Sequence, residues 1–333
     1  MTEKKRWKEL DILRGMAILM VLLYHSVIVF PINLHEIQWC QTLHTFLWVV
    51  QMPLFFLVSG FCYSYQGNYR EYTKKKCMRI LIPHIVFSML DILPRIIPNP
   101  LVNELMNPKE ALLDFLFYGG SDWFLWTLFV IAMVFPIFER LLKGSAGQKK
   151  AGEFLAVLLF MAKPYMTDFL LFNMVSQYFW YFFLGYEIKR KADVLLPKVE
   201  KKRSLWIPLL GMLLFFAGFL AYEERFENGA RYLELISVLW SFVFFYRLAC
   251  MCRGAACKFL SLCGRWSLQM YLLDAYALVA TRTILVSFLG VTNPVAVIAG
   301  NFVLDTVIVL FITCFILTKV KGFRILCGIP EKG

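Results

Sequence analysis

Apolar residues fall in long runs along this chain, and polar residues collect in the short stretches between them. Ten such runs stand out, at roughly 12–30, 42–66, 79–98, 122–142, 153–172, 174–189, 205–222, 231–250, 266–289 and 293–317. A helix of ~18 or more apolar residues is what a hydrocarbon slab ~30 Å thick requires. The pattern therefore predicts an all-α, polytopic membrane helix bundle of about ten transmembrane helices. In the fifth run Lys163 and Pro164 interrupt the apolar stretch, which predicts a kinked or re-entrant segment there. Between the third and fourth runs, Asn107-Pro108 reads as the start of a short helix reaching Phe117. No soluble domain fits between the spans, and no inverted repeat of the transporter kind is visible. Residues 1–333 are read as one membrane-embedded domain.

Composition agrees. Of 333 residues, 59% are hydrophobic, and the mean hydropathy is +0.63, where soluble domains are nearer half apolar. The formal net charge of +12 changes the picture only through its distribution. Lys4, Lys5, Arg6 and Lys8 precede the first run. Alternate loops hold Lys74, Lys75 and Lys76, then Lys149 and Lys150, the stretch Lys189 to Arg203, then Arg253, Lys258 and Arg265, and finally Lys319, Lys321 and Arg324. The acidic group Glu223, Glu224 and Glu227 falls on the other side. Basic residues stay on the cytoplasmic face, so both termini are expected to be cytoplasmic. The charge needs membrane lipid as a partner and no nucleic acid. The expected location is a cell membrane, specifically a bacterial cytoplasmic membrane.

Cysteine usage fits this placement. Only Cys40 is expected in an outer loop, which excludes an exofacial disulfide within one chain. Cys250, Cys252, Cys257 and Cys263 do not have zinc-site spacing and no histidine is near them, so no metal is expected.

Ionisable groups inside a bilayer are costly and point to function. The first run holds the sharpest case. Arg14 and His25 are eleven positions apart, close to three helical turns, so both lie on one face with a rise of about 16 Å. Arg14 is expected near the cytoplasmic surface and His25 near mid-membrane. Asp11, one turn before Arg14, could orient its guanidinium. The arrangement suits a ligand lying along the helix, anionic at Arg14 and reactive at His25, where a neutral imidazole would act as general base. Coenzyme A thioesters have this shape. The same residues would also serve as polar pairs that hold helices together.

The string Leu10-Asp11-Ile-Leu-Arg14-Gly-Met-Ala-Ile-Leu-Met-Val-Leu-Leu-Tyr24-His25 resembles the opening helix of the acyltransferase-3 family of integral membrane acyltransferases. Three further features match in order. They are Pro53-Leu-Phe-Phe-Leu-Val-Ser59-Gly60-Phe61, then Lys76-Cys-Met-Arg79 followed by Pro83, then Asp122-Trp123-Phe-Leu-Trp126 followed by Phe182-Phe-Leu-Gly185. The last looks like the fucose 4-O-acetylase-like branch.

The resemblance implies that His25 is the catalytic base or the residue that receives and passes on the acyl group. It implies that Arg14, Lys76 and Arg79 bind the donor's phosphates. Asp11, Ser59, Gly60, Phe61, Trp123 and Trp126 are implied to lie near the reaction centre. Lys76 and Arg79 read equally well as positive-inside anchors, Ser59 as a helix-internal hydroxyl, and the tryptophans as an interfacial belt.

The implied activity is transfer of an acyl group, acetyl most simply, from cytoplasmic acyl-CoA to a hydroxyl of a cell-surface or lipid-linked carbohydrate. Acyl-CoA is a co-substrate, and no cofactor is expected to stay bound. Two departures stand out. The acid that larger members carry after the tryptophan segment is replaced by Thr127-Leu128-Phe129, and Asp274 of Tyr271-Leu-Leu-Asp274 stands where a histidine is common. Asp274 is read as a residue that orients a polar group in the core, not as a catalytic one. Arg282 and Asp305 are expected to pair between the last two helices. The competing class is a transporter or flippase using Arg14, His25 and Asp274 as a substrate or proton relay. Membrane acyltransferases of the other large class place their histidine late, whereas all four histidines here precede residue 85.

Overall fold

The computed structural model describes residues 7–96, 105–120, 122–201, 204–223 and 227–329, the side chains of 227, 228 and 321 aside. Lys4, Lys5, Arg6, Arg203 and Glu224, used above to orient the chain, lie outside the described residues, as does the side chain of Glu227. The described residues form helices and no strand. In chain order the α-helices are α1 (Lys8–His25), α2 (Gln38–Phe61), α3 (Tyr69–Lys76), α4 (Ile82–Ile96), α5 (Pro108–Tyr118), α6 (Trp123–Lys143), α7 (Ala146–Ala162), α8 (Phe172–Arg190), α9 (Ala192–Lys201), α10 (Trp206–Tyr222), α11 (Glu227–Met251), α12 (Gly254–Arg265), α13 (Ser267–Arg282), α14 (Pro294–Phe311) and α15 (Lys321–Leu326). Wider π-helical turns follow α3 at Cys77–Leu81, α13 at Thr283–Phe288 and α14 at Ile312–Leu317.

The ten apolar runs correspond to α1, α2, α4, α6, α7, α8, α10, α11, α13 and α14. By length and composition, six stretches are able to cross a membrane, or up to seven if the bent pair α9–α10 counts as one span. The shortfall has plain causes. Helices α7 and α10 have 17 residues each. Helix α1 carries Lys8, Glu9, Asp11 and Arg14 within its 18 residues, and α8 ends in Glu187, Lys189 and Arg190. Large apolar side chains stand exposed along several helices, among them Leu93, Ile137, Phe154, Leu214 and Val307. Such surfaces suit lipid and not water.

Local sequence sets several helix ends. Asn107 accepts a hydrogen bond from the Lys109 N–H, Pro108 occupies the first turn, and Gly119 closes α5 at φ 77°. Ser145 and Gln148 form a reciprocal capping box at the start of α7. That helix stops at Ala162, where Lys163 and Pro164 begin a short 3₁₀ turn.

The chain divides into two compact units. One is built from the chain up to Val58 together with Glu187–Phe311. In this unit α1 is surrounded by α11, α12, α13 and α14. It meets α12 at backbone distance. A Cβ on Gly15 would lie 2.0 Å from the Leu260 carbonyl oxygen, and one on Gly264 would lie 1.7 Å from that of Asp11. Small residues at a crossing permit this approach. Ile12 and Met16 bury against Ala249 and Cys257 beside that crossing. Arg247 donates to the carbonyls of Val199 at 3.1 Å and Ser204 at 2.7 Å, a structural use of an intramembrane cation.

The second unit is built from Ser59–Tyr186 together with the chain from Ile312. Its centre is aromatic, with Phe135 against Phe138, Phe179, Phe182 and Tyr186. Buried Glu139 accepts hydrogen bonds from the hydroxyls of Tyr63 at 3.1 Å and Tyr186 at 3.0 Å, and pairs with Lys143 at 2.8 Å.

Candidate active site

Helix α1 brings its polar residues to one face by its own periodicity. Its buried side contains Leu10, Leu13, Ala17, Ile18, Val21 and Leu22, while Asp11, Arg14 and His25 remain half-buried. Arg14 Nη1 lies 4.0 Å from Asp11 Oδ1, and the Arg14 side chain is 30% exposed. The helix ends at His25 itself. The hydroxyl of Ser26 turns back to the Leu22 carbonyl at 2.7 Å, and the Ser26 N–H bonds the same oxygen. The run to about residue 30 therefore does not continue as a helix. Val27 and Ile28 instead leave the axis to bury against Leu34, Cys40, Val297 and Ile298. His25 is thus the terminal residue of an 18-residue helix about 27 Å long, not a mid-helix residue. Cys40, expected in a loop, is buried within α2.

The contact that defines the site joins α1 to α13. The Nδ1–H of His25 donates to Oδ2 of Asp274. Asp274 is 1% exposed, and the His25 side chain is 35% exposed. A carboxylate only accepts, so this contact places the imidazole proton on Nδ1 and leaves Nε2 as the basic nitrogen. Aromatic residues surround the same end of α1. Tyr24 meets His25 edge-on at 5.1 Å and stacks on His44 at 3.9 Å, with Trp48 at 5.7 Å from Tyr24. His35 donates to the Val27 carbonyl at 3.2 Å and lies 4.3 Å from His44.

Arg282 and Asp305 do not pair as expected. The Arg282 guanidinium stands over the Phe30 ring at 5.6 Å, and Asp305 faces Asp274.

The other sequence candidates lie in the second unit. Gly60 is held against α8, where a Cβ would come within 1.9 Å of the Phe182 carbonyl oxygen. Its lack of a side chain is thus explained by helix contact. Phe61 is buried and Ser59 half-buried. Lys76 ends α3 with its ammonium 5.3 Å from the Tyr72 ring centroid. Arg79, exposed, lies in the π-helical turn that follows, a feature often found at functional sites. Trp123 tilts on Tyr178 at 5.5 Å. Trp126 donates its indole N–H to the Leu170 carbonyl at 3.2 Å and lies 5.9 Å from His84. The Thr127 hydroxyl is buried without a hydrogen-bond partner among the described residues.

The sequence reads Asp274 as a residue that orients a polar group in the core, and the group it meets is His25. The available signal was a carboxylate inside an apolar run, and what was missing was the partner 249 positions away.

A family model described as an acyltransferase domain, that of acyltransferase-3, matches residues 7–318, nearly the whole chain. The chain belongs to the acyltransferase-3 family. It is a multi-pass membrane acyltransferase, and α1, which carries Arg14 and His25, lies inside the matched span. No curated protein and no solved structure matches the chain.

Proposed function

We propose that this acyltransferase moves an acetyl group from cytoplasmic acetyl-CoA to a hydroxyl of a cell-surface or lipid-linked carbohydrate. The observation that carries the reading is the His25–Asp274 pair at the end of α1, with Arg14 three turns below on the same helix. A histidine whose Nδ1–H is held by a buried carboxylate is the arrangement of a general base.

His25 Nε2 accepts the proton of the acceptor hydroxyl as its oxygen attacks the thioester carbonyl carbon. The new C–O bond forms, the C–S bond breaks, and the departing thiolate takes the proton from Nε2 to leave as free CoA. Asp274 stabilises the imidazolium between these steps. Arg14 binds phosphate of the donor by charge-assisted hydrogen bonds. Acetyl is preferred over larger acyl groups as the simplest donor, and carbohydrate over other alcohols from the fucose 4-O-acetylase-like sequence features. Both are tested by incubating purified protein with radiolabelled acetyl-CoA and membrane glycolipid. Label recovered in an alkali-labile ester of the glycan supports the reading. Release of CoA with label in no carbohydrate overturns the acceptor class.

A further inference from the structure

Behind His25 the first unit buries more carboxylate than a low-dielectric interior tolerates. Asp274 on α13 and Asp305 on α14 are 1% and 0% exposed, the two helices pack together, and the Asp305 carboxyl is next to that of Asp274. As two carboxylates neither could donate, and among the described residues Asp274 Oδ1 and both oxygens of Asp305 then have no donor at all. Asn301, one turn before Asp305 on α14, is equally buried and, among the described residues, has no hydrogen-bond partner for either side-chain atom. From the elements packed against α14, the ionisable groups facing Asp305 are Asp274 on α13 and, through it, His25 on α1. Arg282 on α13 lies against Phe30. Among the described residues no lysine or arginine bonds either oxygen of Asp305.

Unpaired buried charge is far more costly than a shared proton. Asp274 already receives the His25 Nδ1–H, whereas Asp305 has no such donor, so the proton belongs on Asp305. We infer that Asp305 is a protonated positioning residue whose O–H donates to Asp274, extending the catalytic pair into a chain His25 Nδ1–H to Asp274 carboxylate from Asp305 O–H. The hydrogen bond holds the Asp274 carboxylate in the plane that His25 needs. The role of this chain in turnover rests on the reading of His25 as the base, but the shared proton does not.

The test uses purified full-length protein in nanodiscs near neutral pH, as wild type, Asp305→Asn and Asp305→Leu. Infrared spectroscopy reads the carbonyl stretch of a protonated carboxyl without any turnover. The expected result is such a band in wild type that Asp305→Asn removes. In acetyl-CoA hydrolysis, Asp305→Asn, which keeps an N–H donor, retains most of kcat. Asp305→Leu loses about 10-fold or more in kcat with KM for acetyl-CoA little changed, the cost of a buried charged acceptor left unmet. Three results with these proteins in sodium buffer would overturn the inference. They are a band absent from wild type or unchanged in Asp305→Asn, an Asp305→Asn protein that folds but is as inactive as His25→Ala, or an Asp305→Leu protein as active as wild type. Turnover that collapses when choline replaces sodium would also overturn it, by assigning the neutralising charge to a metal cation. If Asp305→Leu fails to fold, the band and the asparagine variant decide. If no acyl transfer is found, the band still decides whether the proton is there.

Discussion

At His25 the decisive feature is which nitrogen is occupied. Nδ1 is held by Asp274, so in the proposed mechanism the proton moves through Nε2. Asp274→Asn should preserve the fold, because the amide fills the same volume, yet it offers the imidazole the wrong partner and favours the wrong tautomer. The expected outcome is a fall in kcat of about 10²-fold or more, with acetyl-CoA KM nearly unchanged, measured by CoA release. Equal losses in KM and kcat would instead mean that Asp274 only supports the fold. Arg14 is predicted to act on binding. Its ion pair with Asp11 is long at 4.0 Å, which leaves the guanidinium donors for a phosphate, and Arg14→Ala should raise acetyl-CoA KM about 10-fold or more. Both Arg14 and His25 were legible in the sequence because one helix's periodicity places them. Asp274 was not assignable, because its partner is set by how α13 packs on α1 and no local pattern encodes that. Asp305 was misread for the same reason. Opposite charge suggested Arg282 as its partner, but packing turned it to a like charge.

Two helix contacts depend on glycine for their closest approach. Gly15 and Gly264 let α1 and α12 meet at backbone distance, and Gly60 does the same for α2 and α8. Replacing any of them by alanine forces backbone apart, at a cost of about 1–3 kcal/mol. Gly147 in α7 has only the Ser145 hydroxyl near, at 4.0 Å, so Gly147→Ala should be neutral or slightly stabilising. Thermal unfolding in detergent checks the set, and a Gly15→Ala protein as stable as Gly147→Ala would contradict the crossing. Element boundaries were readable wherever a cap or proline marks them, as at Asn107-Pro108 and Lys163-Pro164. The end of α1 was not, because Val27 to Phe30 are as apolar as the helix before them. Only the burial of Val27 and Ile28 against Leu34, Cys40, Val297 and Ile298 draws the chain off the axis.

For the molecule as a whole, the ten apolar runs all became helices, but length and charge leave six or seven able to span by themselves. Short helices such as α7 and charged ones such as α1 depend on neighbours to sit in a membrane. The alternation of basic loops still predicts cytoplasmic termini. Reporter fusions active only in the cytoplasm should report from both ends, and a signal from one end alone would mean an odd number of crossings. The central claim is that α1 binds an acyl-CoA at Arg14 and performs chemistry on it at His25. The most direct measurement is binding and turnover of radiolabelled acetyl-CoA by purified wild type, Arg14→Ala and His25→Ala in nanodiscs. The account predicts CoA release by wild type, weakened binding in Arg14→Ala, and binding without turnover in His25→Ala. Absence of acetyl-CoA binding to wild type, or two variants indistinguishable from it, would contradict the account.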